Sequence, residues 1–237
     1  MVCLFKESDN EGLTMDQLVR ISKKTIFSEL PEDVIKNEIP PLGRQQEVAK
    51  GNHLIYLQET CDSFGVILSG KVNRIHVYEN GNYAIMGILE KSDLLGADLS
   101  CTKSRISPYY AVVVQETKVL SFPISIVLYP GTLTEEIRQK LLHRMLTFVA
   151  DENIRKEYRL AILFQKGLRD RIMTFLTMQA SKRKSNTFTV PFTRDEMASY
   201  LCVNRTCLSH ELSLMEQEGI LTFKRNTFTL LGNEKQS

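Results

Sequence analysis

The chain has 237 residues, a length that suits two domains, each large enough to bury a hydrophobic core. Hydrophobic residues make up 43% and charged residues 24% of the chain. There is no run of about 18 apolar residues, so the sequence excludes a helical membrane protein. The first residues lack the basic and apolar segments of an export signal, and the five cysteines show no CxxC spacing. We therefore expect a cytoplasmic protein with reduced thiols.

The net charge of +2 is divided unevenly along the chain. From Lys166 onward there are 11 Lys and Arg against 7 Asp and Glu, a net charge of +4, which leaves −2 for the residues before it. A basic surface can simply be solvated, but a positively charged C-terminal third also favours a polyanionic partner.

Residues 44–123 contain short apolar runs rich in Val, Ile, Tyr and Phe, separated at intervals by Gly or Asn-Gly. This pattern is typical of strands and turns, and it predicts an antiparallel barrel or roll. Asn80-Gly81 is expected to form a tight hairpin, because both central residues of the favoured turn need positive φ. The clearest predicted strands are residues 54–57, 64–68, 72–78, 83–86 and 110–114.

Helices are predicted on both sides of this region. Residues 14–35 favour short helices with a break at Leu30-Pro31, and residues 134–163 favour one long helix that begins with a cap and acidic residues. We interpret the long helix as one that pairs with its twin in a dimer; the alternative is an ordinary helix packed on its own domain. A further helix over residues 168–181 precedes a polar, basic loop. The apolar stripe of the long helix consists of Ile137, Leu141, Met145, Phe148 and Val149.

Capping residues mark two helix starts near the C-terminus. Thr193 and Glu196 form a capping box, which predicts a helix over residues 194–201. Asn204 is a good N-cap for a second helix that runs to about residue 218. Because only two residues separate these helices, they must cross steeply, and the pattern predicts a helix-turn-helix.

The second of these helices has one apolar and one polar face. Leu208, Leu212 and Met215 fall at helical spacing and are expected in the core. The opposite face is small, polar and rich in donors, which suits entry into a major groove. Residues 220–231 alternate like two strands around a basic turn, which predicts a wing that contacts phosphate. The candidate DNA-binding residues are Arg205, Thr206, Ser209, His210 and Ser213 on the helix, and Thr193, Lys224 and Arg225 as phosphate contacts.

With these motifs the chain resembles the Crp/Fnr family of bacterial transcription regulators. Its C-terminal part is similar over residues 193–221, and its N-terminal part is similar at residues 49–51, 67–72 and 80–81, which match the family's cyclic-nucleotide-binding-like β-roll. The resemblance implies an α+β fold and a homodimer on palindromic DNA, with RNA polymerase as a further partner. It implies a β-roll sensor of the double-stranded β-helix or jelly-roll type over residues 1–133, a dimerisation helix over 134–164 and a winged helix-turn-helix over 165–237.

The family residues that bind cyclic AMP are not retained. In family members that bind cyclic AMP, a Gly-Glu pair binds the ribose. Gly96 stands at the Gly of this pair, but Ala97 replaces the Glu. Ser107-Pro108 stands where an Arg-Ser pair binds the phosphate, and Arg105 lies two residues early. Without that guanidinium a cyclic phosphate would lose a bidentate charge-assisted contact, so we expect a different effector. The resemblance places the effector pocket around Gly96, Ala97, Asp98, Tyr109 and Tyr110.

Other family cofactors are not expected either. Cys3 alone cannot ligate an iron-sulfur cluster, which needs four ligands. Isolated histidines more often form hydrogen bonds than bind haem, so no metal is assigned to His53, His76 or His143. Cys202, at a turn position where relatives commonly have Gly, and Cys207 are expected to fill the interface between helices, with a thiol switch as the alternative.

The sequence therefore predicts a DNA-binding transcription regulator. The alternative is a nucleotide-responsive signalling module whose helix-turn-helix mediates protein contacts. Salt-sensitive binding to duplex DNA separates the two. An enzyme is not expected, because no nucleophile is paired with a base and no metal-ligand spacing occurs.

Overall fold

The structure is a computed structural model that describes residues 25–231. These residues fall into two compact units, which divide between Asn153 and Ile154. Of the short helices expected over residues 14–35, the part before Thr25 lies outside the described residues. Helix α1 (Glu32–Asn37) starts directly after Pro31, with two acidic residues in its first turn.

The first unit is built on an antiparallel sheet, as predicted. Its strands run in the order β1-β6-β3-β4, with β2 paired to β6 and β5 paired to β3. Two short helices, α2 (Ala97–Ser100) and α3 (Ser125–Leu128), follow β5 and β6. The strands are β1 (Arg44–Val48), β2 (His53–Ile55), β3 (Ser63–Val77), β4 (Tyr83–Leu89), β5 (Leu94–Leu95) and β6 (Tyr110–Pro123).

Strand β3 was expected as two strands, residues 64–68 and 72–78, and that expectation is wrong. It is one strand of 15 residues that pairs with β6 from Ser63 to Ile75. Gly70, which suggested a turn, has φ +92°, and a Cβ there would lie 2.2 Å from the Glu116 carbonyl oxygen. The ladder register shifts around this position. Gly70 therefore forms a bulge that bends a continuous strand.

The β3–β4 hairpin exists, but its turn is wider than predicted. Tyr78 N donates to Asn82 O at 2.8 Å, and Gly81 N donates to Tyr78 O at 2.9 Å, so three residues form the loop. Of the Asn80-Gly81 pair only Gly81 has positive φ. The Asn80 side chain instead accepts from Asn82 N at 3.0 Å, which stabilises the longer loop.

The long helix α4 (Glu135–Leu163) confirms the predicted helix, and the boundary between the units falls inside it. In the first unit its stripe of Ile137, Leu141 and Met145 is 7%, 0% and 2% exposed, in one core with Phe64 and Phe122. These three residues therefore pack on their own domain, and the expectation that they contact a twin helix is wrong.

The second unit combines a three-stranded sheet with three helices that follow α4. Helix α5 runs two residues beyond the predicted end and stops where Lys184 adopts φ +51°. Strand β7, for which the sequence predicted no element, pairs with β9, and the sheet order is β7-β9-β8. The elements are α5 (Leu168–Arg183), β7 (Thr187–Thr189), α6 (Arg194–Tyr200), α7 (Arg205–Gln217), β8 (Leu221–Lys224) and β9 (Thr227–Leu230). Across residues 25–231, no helix is both long enough and apolar enough to cross a membrane.

Candidate functional site

Both predicted helix caps of the helix-turn-helix are formed. Thr193 Oγ1 accepts from Glu196 N at 3.2 Å, and Glu196 Oε2 accepts from Thr193 N at 2.8 Å, which completes the capping box of α6. Asn204 Oδ1 accepts from Cys207 N at 2.7 Å at the start of α7. These local hydrogen bonds set where the two helices begin.

The turn between α6 and α7 is tight. Val203 N donates to Ala198 O at 3.0 Å, and Cys202 has φ +55°. A left-handed φ favours glycine, so the backbone explains the family preference for Gly at this position. The side chains of Cys202 and Cys207 are both exposed. The expectation that they fill the helix interface is therefore wrong.

Helix α7 has the two faces predicted for a recognition helix. Leu208, Leu212 and Met215 are 0% exposed and pack in the core of the second unit. On the other side, Ser209 is half-buried, and Ser213 Oγ donates to the Ser209 carbonyl at 3.0 Å. Arg205, Thr206, His210 and Ser213 are exposed. This face is available to a groove, and the individual DNA contacts stay a prediction.

The wing forms as predicted from β8 and β9. Its turn contains Lys224, at the end of β8, and Arg225, which has φ +55°. Thr193, Lys224 and Arg225 all belong to the second unit, and the phosphate contacts proposed for them are untested. Arg194, which is not among the predicted contacts, supports this turn: its Nη2 donates to Arg225 O at 3.0 Å.

The Arg194 guanidinium also packs over the wing aromatics. It lies 5.1 Å from the ring centre of Phe223 and 5.5 Å from that of Phe228. Burial lowers the pKa of Arg194, and the positive charge of Arg205 lowers it further. The sequence held one signal for this role, because an arginine in the first turn of a helix opposes the helix dipole.

A group of ion pairs connects α7 to α5. Arg169 Nε lies 2.6 Å from Glu211 Oε1, and its Nη1 lies 2.6 Å from Glu218 Oε2. The hydrogen bonds from Arg169 lower the pKa of Glu218. No local pattern could have predicted this group, since its members are 42 and 49 residues apart.

Two residues of the predicted effector pocket, Gly96 and Ala97, lie in closely packed parts of the roll, and the pocket itself stays a prediction. Gly96 caps α2 with φ +75°, and a Cβ there would lie 3.0 Å from Cys61 Sγ. Ala97 is 1% exposed. Arg105 pairs with Asp62 at 2.7 Å and is partly exposed, so it does not replace the missing phosphate-binding arginine from inside the roll.

A buried polar cluster lies beside these residues. Arg74 of β3 contacts Glu152 of α4 at 2.9 Å and Asp98 of α2 at 3.5 Å, and its side chain is 13% exposed. Tyr109 Oη donates to Asp98 Oδ1 at 3.2 Å, and the Arg74 guanidinium lies 5.7 Å from the centre of the Tyr109 ring.

The surroundings of this cluster shift the pKa values of Arg74 and Tyr109. Burial alone lowers the pKa of Arg74, but Tyr109, Glu152 and Asp98 together raise it above its ordinary value. Burial, and next the charge of Asp98, raise the pKa of Tyr109. The strand partner Gly87 leaves the space for Arg74: a Cβ there would lie 2.7 Å from Nη2.

The histidines considered for haem lie apart from one another in aromatic or polar surroundings. His53 contacts the rings of Tyr56 and of Tyr110, the last of the predicted pocket residues, at centroid distances of 5.0 and 5.4 Å. His76 packs against Tyr78 at 5.3 Å. Within residues 25–231, no three His, Cys, Asp or Glu side chains are grouped to hold a metal ion.

Comparisons with known proteins agree with both units. The family model for a cyclic nucleotide-binding domain matches residues 45–128, and the model for a Crp-like helix-turn-helix domain matches residues 170–235. The transcriptional activator protein FnrA of Stutzerimonas stutzeri is 25% identical over 195 residues, which are 80% of this chain and 75% of that protein. The transcriptional activator protein FnrL of Cereibacter sphaeroides is 24% identical over 186 residues, 73% of this chain and 71% of that protein.

Solved structures show the same fold. FixK2 from Bradyrhizobium japonicum superimposes with a TM-score of 0.61 at 17% identity, covering 81% of this chain and 94% of that one. The c-di-GMP responsive global regulator CLP of Xanthomonas campestris gives a TM-score of 0.63 at 13% identity, covering 81% of this chain and 96% of that one.

A winged helix-turn-helix joined to a cyclic-nucleotide-binding-like roll defines a DNA-binding transcription regulator. The chain belongs to the Crp/Fnr family.

Proposed function

We propose that the chain acts as a homodimer that binds palindromic operators through α7 and the wing, under the control of an effector other than cyclic AMP. The observation that carries the DNA contact is the exposed polar face of α7, opposite a fully buried apolar face. Arg205, Thr206, Ser209, His210 and Ser213 supply the groove contacts, and Thr193, Lys224 and Arg225 supply the phosphate contacts. By likeness to the named activators, RNA polymerase is a further partner in the cytoplasm.

The dimer is supported by a second apolar row on α4. Leu142 and Leu146 are 38% and 68% exposed, and together with half-buried Val149 they lie away from the buried stripe. Asn153 continues the spacing of four, three and four residues that is typical of a two-stranded coiled coil. A polar Asn at such a position favours one register and two strands.

Selection of binding sequences from a random duplex library tests the operator. We expect inverted repeats whose half-sites are centred about one helical turn, or roughly 34 Å, apart, because a two-fold dimer places two recognition helices in successive major grooves. Selection with and without cell extract shows whether a ligand is needed. Enrichment of single, unrepeated sites would contradict the dimeric mode.

Cyclic AMP is expected neither to bind tightly nor to change the affinity for the selected operator. Ala97 lacks the carboxylate for the ribose, and the Arg105 guanidinium is paired with Asp62. The buried cluster of Arg74, Asp98 and Glu152 adds two carboxylates that would repel a phosphate. Isothermal calorimetry measures this directly, and a micromolar or tighter site would overturn it.

A further inference from the structure

Asp195 is an acidic residue on the surface proposed to face DNA. It lies in the first turn of α6, its side chain is 67% exposed, and its sequence neighbour Arg194 supports the wing. A carboxylate beside DNA phosphates is repelled by them. The helix dipole favours an acidic residue in the first turn of a helix, which explains the presence of Asp195 there. It does not explain why the Asp195 carboxylate contacts another side chain.

That partner is Arg205, the first residue of the recognition helix. Arg205 Nη1 lies 3.2 Å from Asp195 Oδ2 and 3.5 Å from Asp195 Oδ1. Within the described residues, both contacts of the guanidinium use this one nitrogen. Nε and Nη2 therefore remain as a pair of donors, and a pair of donors is what guanine O6 and N7 accept in the major groove.

The pair also restricts a side chain that is otherwise mobile. Arg205 is 65% exposed, and an exposed arginine samples many rotamers that it loses when it binds a base. A carboxylate that holds the guanidinium before binding reduces that loss. Burial, and next the positive charge of Arg205, lower the pKa of Arg194, so the two cations oppose each other beside Asp195.

We propose that Asp195 is a specificity-determining residue, which orients the Arg205 guanidinium toward a guanine in each half-site. The inference rests on the proposed DNA contact of Arg205. It assigns a role to a residue that does not itself need to contact the base.

The test uses the full chain and the operator selected with it. Fluorescence anisotropy measures binding of the wild type and of Asp195→Asn to the operator, to each single-base variant of it and to unrelated duplex DNA at one salt concentration. Charge removal alone would strengthen binding to every sequence. If Asp195 orients Arg205, binding to unrelated DNA rises or stays constant, while discrimination at one guanine falls by about 10-fold.

Three further variants separate the causes. Asp170→Asn removes the same charge from the first turn of α5 in the same unit, and it should leave base discrimination unchanged. Arg205→Ala should abolish discrimination at the same guanine, and Asp195→Asn should have no further effect in that background. Circular dichroism shows whether the Asp195→Asn variant is folded. If it is not, Asp195→Ser serves as a second variant without the carboxylate.

Unchanged discrimination in folded Asp195 variants, together with its loss in Arg205→Ala, would overturn this inference and leave the proposed function intact. If Arg205→Ala also leaves discrimination unchanged, the contact proposed for Arg205 is wrong and the role of Asp195 is overturned with it. Failure of the wild type to select any operator would count against the proposed function itself.

Discussion

Arg74 is a charged residue whose two carboxylate partners are also nearly buried. The Arg74, Asp98 and Glu152 side chains are 13%, 13% and 6% exposed. Removing one member of a buried ion pair is costly, because the charge that it contacted stays desolvated. Loss of Arg74 is therefore expected to be costly because the Asp98 and Glu152 carboxylates would stay buried without its guanidinium.

We expect Arg74→Met to destabilise the first unit by about 3 to 5 kcal/mol, because two buried carboxylates would each lose the guanidinium that they contact. Urea denaturation followed by circular dichroism measures the change in free energy of unfolding. Arg105→Met is the control: it removes an Arg–Asp pair of similar length at the surface, and its stability should stay close to that of the wild type. If both variants lose the same free energy of unfolding, burial of the Arg74 cluster does not increase its contribution to stability.

His210 stands on the exposed side of α7. A neutral imidazole offers one donor and one acceptor, whereas Arg donates two hydrogen bonds to guanine. His210→Arg should therefore shift sequence preference by roughly 1 to 3 kcal/mol at one base pair per half-site. Repeating the library selection with this variant checks the expectation. An unchanged operator would mean that His210 does not read DNA.

At the residue scale, the parts of the site that could be predicted are those set by local spacing. Thr193, Glu196 and Asn204 act within three residues of themselves, so their hydrogen bonds follow from the sequence. Arg74 and Glu152 are 78 residues apart, and the only signal was a charged residue within an apolar run. Partners at such separation depend on the tertiary fold.

Among the elements, the long helix shows the corresponding limit. Its periodicity correctly placed Ile137, Leu141 and Met145 on one face. Periodicity does not say which surface covers that face, and here the roll covers it. The same limit applies to β7, whose three residues form a strand only because β9 offers its hydroxyl groups and backbone: Thr187 and Thr229 Oγ1 lie 3.0 Å apart.

The wing is an element whose position depends on Arg194. Arg194→Gln should weaken binding to all DNA sequences by about 5- to 10-fold without changing base preference, because wing contacts to phosphate carry no sequence information. Arg194→Lys should weaken binding similarly, since Lys keeps the charge but lacks the planar group that stacks on Phe223 and Phe228. Anisotropy titrations on operator and unrelated DNA measure both effects.

Arg183→Gln serves as the matched control, because it removes a positive charge that stacks on Phe188 in the same unit. Full binding by Arg194→Lys would show that Arg194 acts through its charge on phosphate and not through the wing.

For the whole molecule, the exposed row on α4 predicts how two chains associate. Leu146→Glu should raise the dimer dissociation constant by about 100-fold or more, because a charge would enter an apolar seam. Sedimentation measures the mass of the particle in solution. Binding to a full palindrome should weaken as the dimer dissociates. Ile106→Glu, at a residue of the roll that is 51% exposed, should remain dimeric. A wild-type chain that is monomeric at micromolar concentration would rule the dimer out.

The contact between Gly87 and Arg74 couples a backbone position of β4 to the buried ion pairs of the roll. A Cβ at position 87 would lie 2.7 Å from Arg74 Nη2, so any larger residue there requires the guanidinium to shift. Such a shift changes the distances from Arg74 to Asp98 and Glu152, which are 3.5 and 2.9 Å. The geometry of the charged cluster therefore depends on a residue that carries no side chain.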